Sequence, residues 1–163
     1  MAGSGFNLNE AVNLYANSTG ANLLGTKNAD VNGSLSVTAR AHPAPYGPNS
    51  VVAVGQNSGK LAVAPFFMTP RLIMNPRTAP TGATIAAQGF GFGPEEEVNV
   101  WWNIAGTSFI LALGTVVTDT EGSFWRESAL TFTVPANAPS GINAVIGKGR
   151  ATKVSVKAYV DVQ

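Results

Sequence analysis

Apolar residues recur at every second position in the segments that carry much of this chain's hydrophobicity. Val98, Val100 and Trp102 alternate with Asn99 and Trp101, and Val12 and Leu14 alternate with Asn13 and Tyr15. A period of two sends successive side chains to opposite faces of a strand. One set is expected to line a core, leaving Trp101 and Tyr15 on the outer face. No stretch shows the three-to-four spacing of an amphipathic helix. The 18 Gly and 10 Pro, spread along the whole chain, would break most helices. Many short strands with turn signals between them predict an all-β fold of the sandwich type.

The pattern occurs twice. Gly5-Phe6-Asn7-Leu8-Asn9-Glu10 precedes the first alternating strand, and Gly91-Phe92-Gly93-Pro94-Glu95-Glu96 precedes the second. Leu24-Gly25-Thr26 is matched by Leu113-Gly114-Thr115, and Asp30-Val31-Asn32-Gly33-Ser34 by Asp119-Thr120-Glu121-Gly122-Ser123. Pro45-Tyr46-Gly47 is matched by Pro139-Ser140-Gly141. Val54-Gly55, a turn and Lys60-Leu61-Ala62-Val63 are matched by Ile146-Gly147, a turn and Lys153-Val154-Ser155-Val156. The Asp-x-x-Gly-Ser pieces read as hairpin turns, with Asp bonding the backbone two residues on and Gly supplying a positive φ. The proline-rich pieces around residues 43–48 and 135–141 read as rigid crossovers.

The copies are unequal. Arg71 to Pro76 and Pro80 to Ala87 precede the second and read as an opening strand that bends at Pro80-Thr81-Gly82. The first has no counterpart. The expected organisation is therefore two tandem sandwiches: an incomplete one over 1–68, a hinge at 69–71 and a complete one over 72–163. A sandwich without its opening strand shows a bare sheet edge and an uncovered strip of core. The closing strand from Lys60 to Met68, with Phe66 and Phe67, bounds that strip.

Composition sharpens the functional classes. Apolar residues make up 45%, enough for a packed core, while charged residues are only 12% and the net charge is +1. There is no electrostatic footprint for nucleic acid. With 0 Cys, disulfides and thiolate chemistry are excluded. No apolar run approaches ~20 residues, so insertion in a membrane as a helix is not expected. No charged-then-apolar leader follows Met1. The Asn-, Ser-, Thr- and Gly-rich polarity suits an extracellular, cell-surface or virion protein.

These landmarks resemble the bacterial immunoglobulin-like repeats of the IPT/TIG type, which occur in tandem on large surface proteins. The second copy carries most of that pattern: Pro80-Thr81-Gly82, Gly89-Phe90, Pro94-Glu95, Val98, Leu113-Gly114-Thr115, Asp119, Gly122-Ser123-Phe124, Val134-Pro135, Pro139, Gly141 and Ala158-Tyr159. The first copy departs from it at Leu8-Asn9-Glu10, where Pro-Gly-Glu is usual. The resemblance implies two immunoglobulin-like domains. Such modules serve as spacers, adhesin stalks, enzyme appendages and phage structural parts.

Each candidate for chemistry has a plainer reading. His42 is the only histidine, sits beside Pro43, and has no nucleophile elbow to serve. Asp30 to Ser34 opens like a calcium loop, but Leu35 and Ala41 stand where Gly and Glu are required. Glu95-Glu96-Glu97 is expected to be a solvated rim, because alternation sends neighbours to opposite faces. Gly89-x-Gly91-x-Gly93 leads into a strand, and a phosphate cradle needs a helix. An isopeptide bond would need Lys60 or Lys153 buried. Asn17 and Asn32 begin sequons. No residue set calls for a catalytic role, a metal or a cofactor.

Exposed aromatics remain as candidate interface residues: Tyr15, Trp101, Trp125, Phe66 and Phe67. With Phe124 in the core, Trp125 is expected to face outward on the next hairpin strand. Such residues anchor protein interfaces or stack on sugar rings. The leading expectation is a non-enzymatic structural or interaction module of a surface assembly or filament. It would self-associate or bind neighbouring subunits, with strand complementation at the open edge. The alternatives are a virion head-decoration or tail protein, and a carbohydrate-binding module using Trp101 and Trp125.

Overall fold

The computed structural model describes residues 2–20, 22–38, 43–104 and 110–163, and among these every regular element but one 3-10 turn (Arg126–Ser128) is a strand. The fold is all-β. The chain divides into two compact units, the first made of Met1–His42 with Pro48–Met68 and the second of Pro43–Gly47 with Thr69–Gln163.

The first unit holds β1 (Ala2–Gly3), β2 (Ala11–Ala16), β3 (Leu23–Asn28), β4 (Leu35–Ser36), β5 (Gly47–Gly55, all but its first residue) and β6 (Leu61–Met68). One sheet runs β3-β2-β5-β6, and a two-stranded piece pairs β1 with β4 through Ala2↔Ser36 and Gly3↔Leu35. Phe6, Val12, Leu14, Ala29, Leu35 and Ala53 form the buried cluster between them.

The second unit holds β7 (Arg71–Asn75), β8 (Thr78–Ala79), β9 (Thr84–Phe90), β10 (Glu97–Asn103), β11 (Ile110–Val117), β12 (Leu130–Thr133), β13 (Gly141–Gly149) and β14 (Ser155–Val162). Its sheets run β11-β10-β13-β14-β8 and β12-β9-β7. The cluster between them takes Ile85 and Ala87 from β9, Val98, Val100 and Trp102 from β10, Phe132 from β12, Val145 from β13 and Val160 from β14. This is a sandwich with residues of both layers meeting in one core.

The landmark residues now have physical reasons. At Leu-Gly-Thr each strand pair bulges: Leu14 stands opposite Gly25 and Tyr15 opposite Leu23, just as Val100 stands opposite Gly114 and Trp101 opposite Ala112. The extra residues, Leu24 and Leu113, pack against the two clusters. The glycines sit at φ 150° and 153°, where other residues are strained. The threonine hydroxyls donate to Asn13 Oδ1 at 2.7 Å and Asn99 Oδ1 at 2.9 Å across each strand pair.

The Asp-x-x-Gly-Ser turns are built alike as well. Asp30 Oδ1 accepts from the Asn32 and Ser34 amides at 2.8 and 2.9 Å, and Asp119 Oδ1 accepts from the Glu121 and Ser123 amides at 2.9 Å each. Gly33 and Gly122 have φ 69° and 72°. Their carbonyls accept from the Phe6 and Phe92 amides at 3.1 and 3.0 Å.

The segment before the second copy is not one strand bending at Pro80-Thr81-Gly82. β7 ends at Asn75, the chain turns at Pro76, β8 joins the other sheet parallel to β14, and β9 runs back antiparallel to β7. Arg71 is not part of a linker; it is the first residue of β7, opposite Phe90. Trp125 is not on a hairpin strand. Phe124 makes a single bridge to Gly89, and Trp125 immediately precedes the 3-10 turn.

Candidate interaction site

Among the described residues, the first unit lacks a strand that the second unit has. The Gly55 amide donates to the Lys60 carbonyl at 2.9 Å, and the Gly149 amide to the Val154 carbonyl at 3.0 Å. These bonds set β6 against β14 and correct the register expected from the sequence. Gly55 corresponds to Gly149 and not Gly147, since Val12 stands opposite the one and Val98 opposite the other, and Lys60 corresponds to Val154 and not Lys153. Ala62, Ala64, Phe66 and Met68 therefore stand where Val156, Ala158, Val160 and Val162 stand. In β14 the last three are buried; in β6 all four positions are only half-buried.

The difference lies in the opposite layer. In the second unit β7 lies against β14 and sends Leu72 and Met74 into the shared cluster. Among the described residues of the first unit, the corresponding layer is the two-residue pair of β1 with β4. Nothing there corresponds to β7. The outer face of β6 is apolar too: Leu61 and Val63 are 62% and 63% exposed, where β14 carries Ser155 and Lys157. An edge strand that is apolar on both faces leaves hydrophobic surface exposed.

The interface candidates do not gather in one place. Phe66 lies on the half-covered inner face of β6 and Phe67 on its outer face, 59% exposed. Tyr15 is half-buried on the outer face of β2, its hydroxyl accepting from Asn13 Nδ2 at 3.1 Å. In the second unit, half-buried Trp101 lies with Ile110, Ala112, Ile146 and Lys148 around a shallow apolar depression on the β11-β10-β13 face. Trp125 packs on Phe90 with ring centroids 6.2 Å apart, under the Arg126 guanidinium at 3.9 Å from its ring. Phe90 is on the outward side of β9, in the other layer. The two indoles thus share no platform. All three tryptophans (101, 102 and 125) belong to the second unit.

Each unit also has a buried glutamate just before its alternating strand. Glu96 is only 4% exposed and not on a solvated rim; it accepts from the Thr152 amide at 3.0 Å and the Thr152 hydroxyl at 2.7 Å. Glu95 is exposed, and Glu97 pairs with Arg150. Glu10, 2% exposed, plays the same part in the first unit. It accepts from the Asn7 and Asn57 amides and from both the amide and the hydroxyl of Ser58. Each carboxylate ties the tip of the closing hairpin to the start of the alternating strand. A sequence signal existed: an acid at the same place in both copies, with Ser58 and Thr152 in matching turns.

Burial pushes the Glu10 carboxyl up, but the bonds from Asn7, Ser58 and Asn57 outweigh it and hold it at about 2, against an ordinary 4.5. A depressed carboxyl stabilises the folded state fully above the unfolded value and loses that contribution as pH falls. The first unit is therefore expected to weaken as pH drops from 4.5 toward 2. Glu10→Gln should start less stable and lack that part of the fall. Thermal melts across this range check it; identical profiles for the two proteins would refute it.

The remaining candidates resolve as structure. Asp30 Oδ1 holds its own turn, and among the described residues no group of three His, Cys, Asp or Glu side chains is placed to share a cation. Gly89 is inside β9 and Gly91 in the turn before β10. Lys60 and Lys153 are exposed, which removes the buried lysine that an isopeptide bond requires. Asn17 donates to Asn49 Oδ1 and accepts from the Ser50 amide, each at 2.9 Å, while Asn32 is exposed. His42 lies outside the described residues. No protein-family model matches the chain, and no curated protein matches it.

Proposed function

We propose that the protein is a non-enzymatic structural module of an extracellular or cell-surface assembly, built as tandem immunoglobulin-like domains. Its work is to join neighbouring protein chains through the open strip of the first unit. One observation carries this reading. β6 is apolar on both faces with none of its residues fully buried, while the matching strand β14 carries Ser155, Lys157, Tyr159 and Asp161 outside and is buried at three of its four inner positions. A surface of this kind gains stability from any chain that covers it.

Copies of the chain are expected to cover each other's strips when nothing else does. Size-exclusion chromatography with light scattering should show a mass that rises with concentration. Phe66→Glu, which places a charge on the half-buried inner face, should return the chain to a monomer. A wild-type monomer at every concentration, melting in two independent steps, would overturn the reading.

A further inference from the structure

We propose that the open strip of the first unit seats one extended polypeptide segment supplied from outside these 163 residues. The segment pairs antiparallel with β1 and lays two large aliphatic side chains, two residues apart, over the inner face of β6. This rests on the assembly reading and names the ligand of that surface.

The second unit supplies the template. β7 pairs antiparallel with β9, placing Leu72 opposite Gly89 and Ile73 opposite Gln88. Leu72 and Met74 enter the cluster that contains Ala158, Val160 and Val162 of β14, while Ile73 points away from it and is half-buried. Phe6 stands to Gly33 as Phe92 stands to Gly122. Gly3 thus takes the place of Gly89, and Ala2 that of Gln88. β1 is bonded to β4 on one side, and the side where β7 would lie has no strand among the described residues. The ligand is accordingly a strand with Leu- or Met-like residues at alternate positions and a tolerant residue between them. This chain's own such segment, Arg71–Asn75, is already paired in the second unit.

The strip is filled across its face and not along the rim of β6. The Gly55–Lys60 bond points the amides of Ala62, Ala64 and Phe66 toward β5. That leaves positions 61, 63, 65 and 67 on the rim, and the third of these is Pro65. Proline has no N–H to offer a neighbouring strand, a device that blunts sheet edges. β1 carries no such block. Backbone bonds to β1 give the segment its hold, and the alternate side chains over β6 give selectivity.

The probe is a synthetic peptide of residues 70–79, titrated into the full-length chain and followed by hydrogen-exchange mass spectrometry. At about ten times its Kd it should slow exchange about tenfold in residues 2–4 and 61–68, leaving β10 unchanged. It should also dissolve self-association. The same peptide with Asp in place of Leu72 and Met74 should do neither. No protection at saturating excess, or protection confined to the second unit, overturns the inference. If that happens while Phe66→Glu still abolishes assembly, the assembly reading survives alone. Peptide protection of residues 2–4 and 61–68 on a chain that stays monomeric throughout upholds the seated segment and removes self-association.

Discussion

Trp102→Ala is expected to destabilise the second unit by about 3–5 kcal/mol, the usual range for deleting a large buried aromatic. Trp102 is 0% exposed and sits edge-on to Phe132 with ring centroids 6.1 Å apart, so its removal opens a cavity where the two layers meet. In a domain of this size that lowers the melting temperature by well over 10 °C, roughly. A second substitution shows what the loss consists of. The Trp102 indole nitrogen is buried and finds no hydrogen-bond partner among the described residues. Trp102→Phe removes that orphan donor and keeps most of the packing, so it should lose less than half as much. Chemical denaturation of both variants decides the matter. Equal losses would mean that a phenyl ring cannot replace the indole's packing, and would refute the prediction.

Gly33→Ala and Gly122→Ala are the same lesion in two settings, and they are expected to end differently. At both positions the left-handed backbone costs about 1–2 kcal/mol for a residue with a side chain. The added Cβ would also lie 2.1 Å from a backbone oxygen, that of Phe6 at Gly33 and that of Phe92 at Gly122. A carbonyl inside a turn cannot swing aside as a side-chain tip can. The turn must shift, and it carries a core phenylalanine with it. Together these effects should cost about 3–5 kcal/mol. Phe92 is one of eighteen residues in its buried cluster, so the second unit should stay folded with a lower melting point. Phe6 is one of six, and that smaller core is expected to fail outright. Hydrogen exchange resolved along the chain reads the two units separately. Native protection across β2 and β5 in Gly33→Ala would sink the prediction.

The features legible in the sequence were those fixed by local chemistry. Val98, Val100 and Trp102 had to share a face because a strand's side chains alternate, and all three are buried. The Asp30 and Asp119 turns bond their own backbone within a few residues, so their residue types announce them. What stayed hidden depends on distant partners. The residues flanking Glu96 do not mark it as buried; only its match with Glu10 across the repeat does, so three acids in a row read as surface. β9 was not separated from β7 because Ala86, Ala87 and Gly89 are too small to mark inner and outer faces. The strip over β6 was legible only through the repeat: Val160 has β7 above it, and Phe66, its counterpart, does not.

The placement of every indole in the second unit has a practical consequence. Tryptophan emission reports on that half of the molecule alone. A denaturation curve followed by fluorescence will trace one smooth transition even after the smaller core has come apart. The half that carries the open strip is silent to tryptophan emission, and the loss of its structure must be read from Tyr15 or from the backbone.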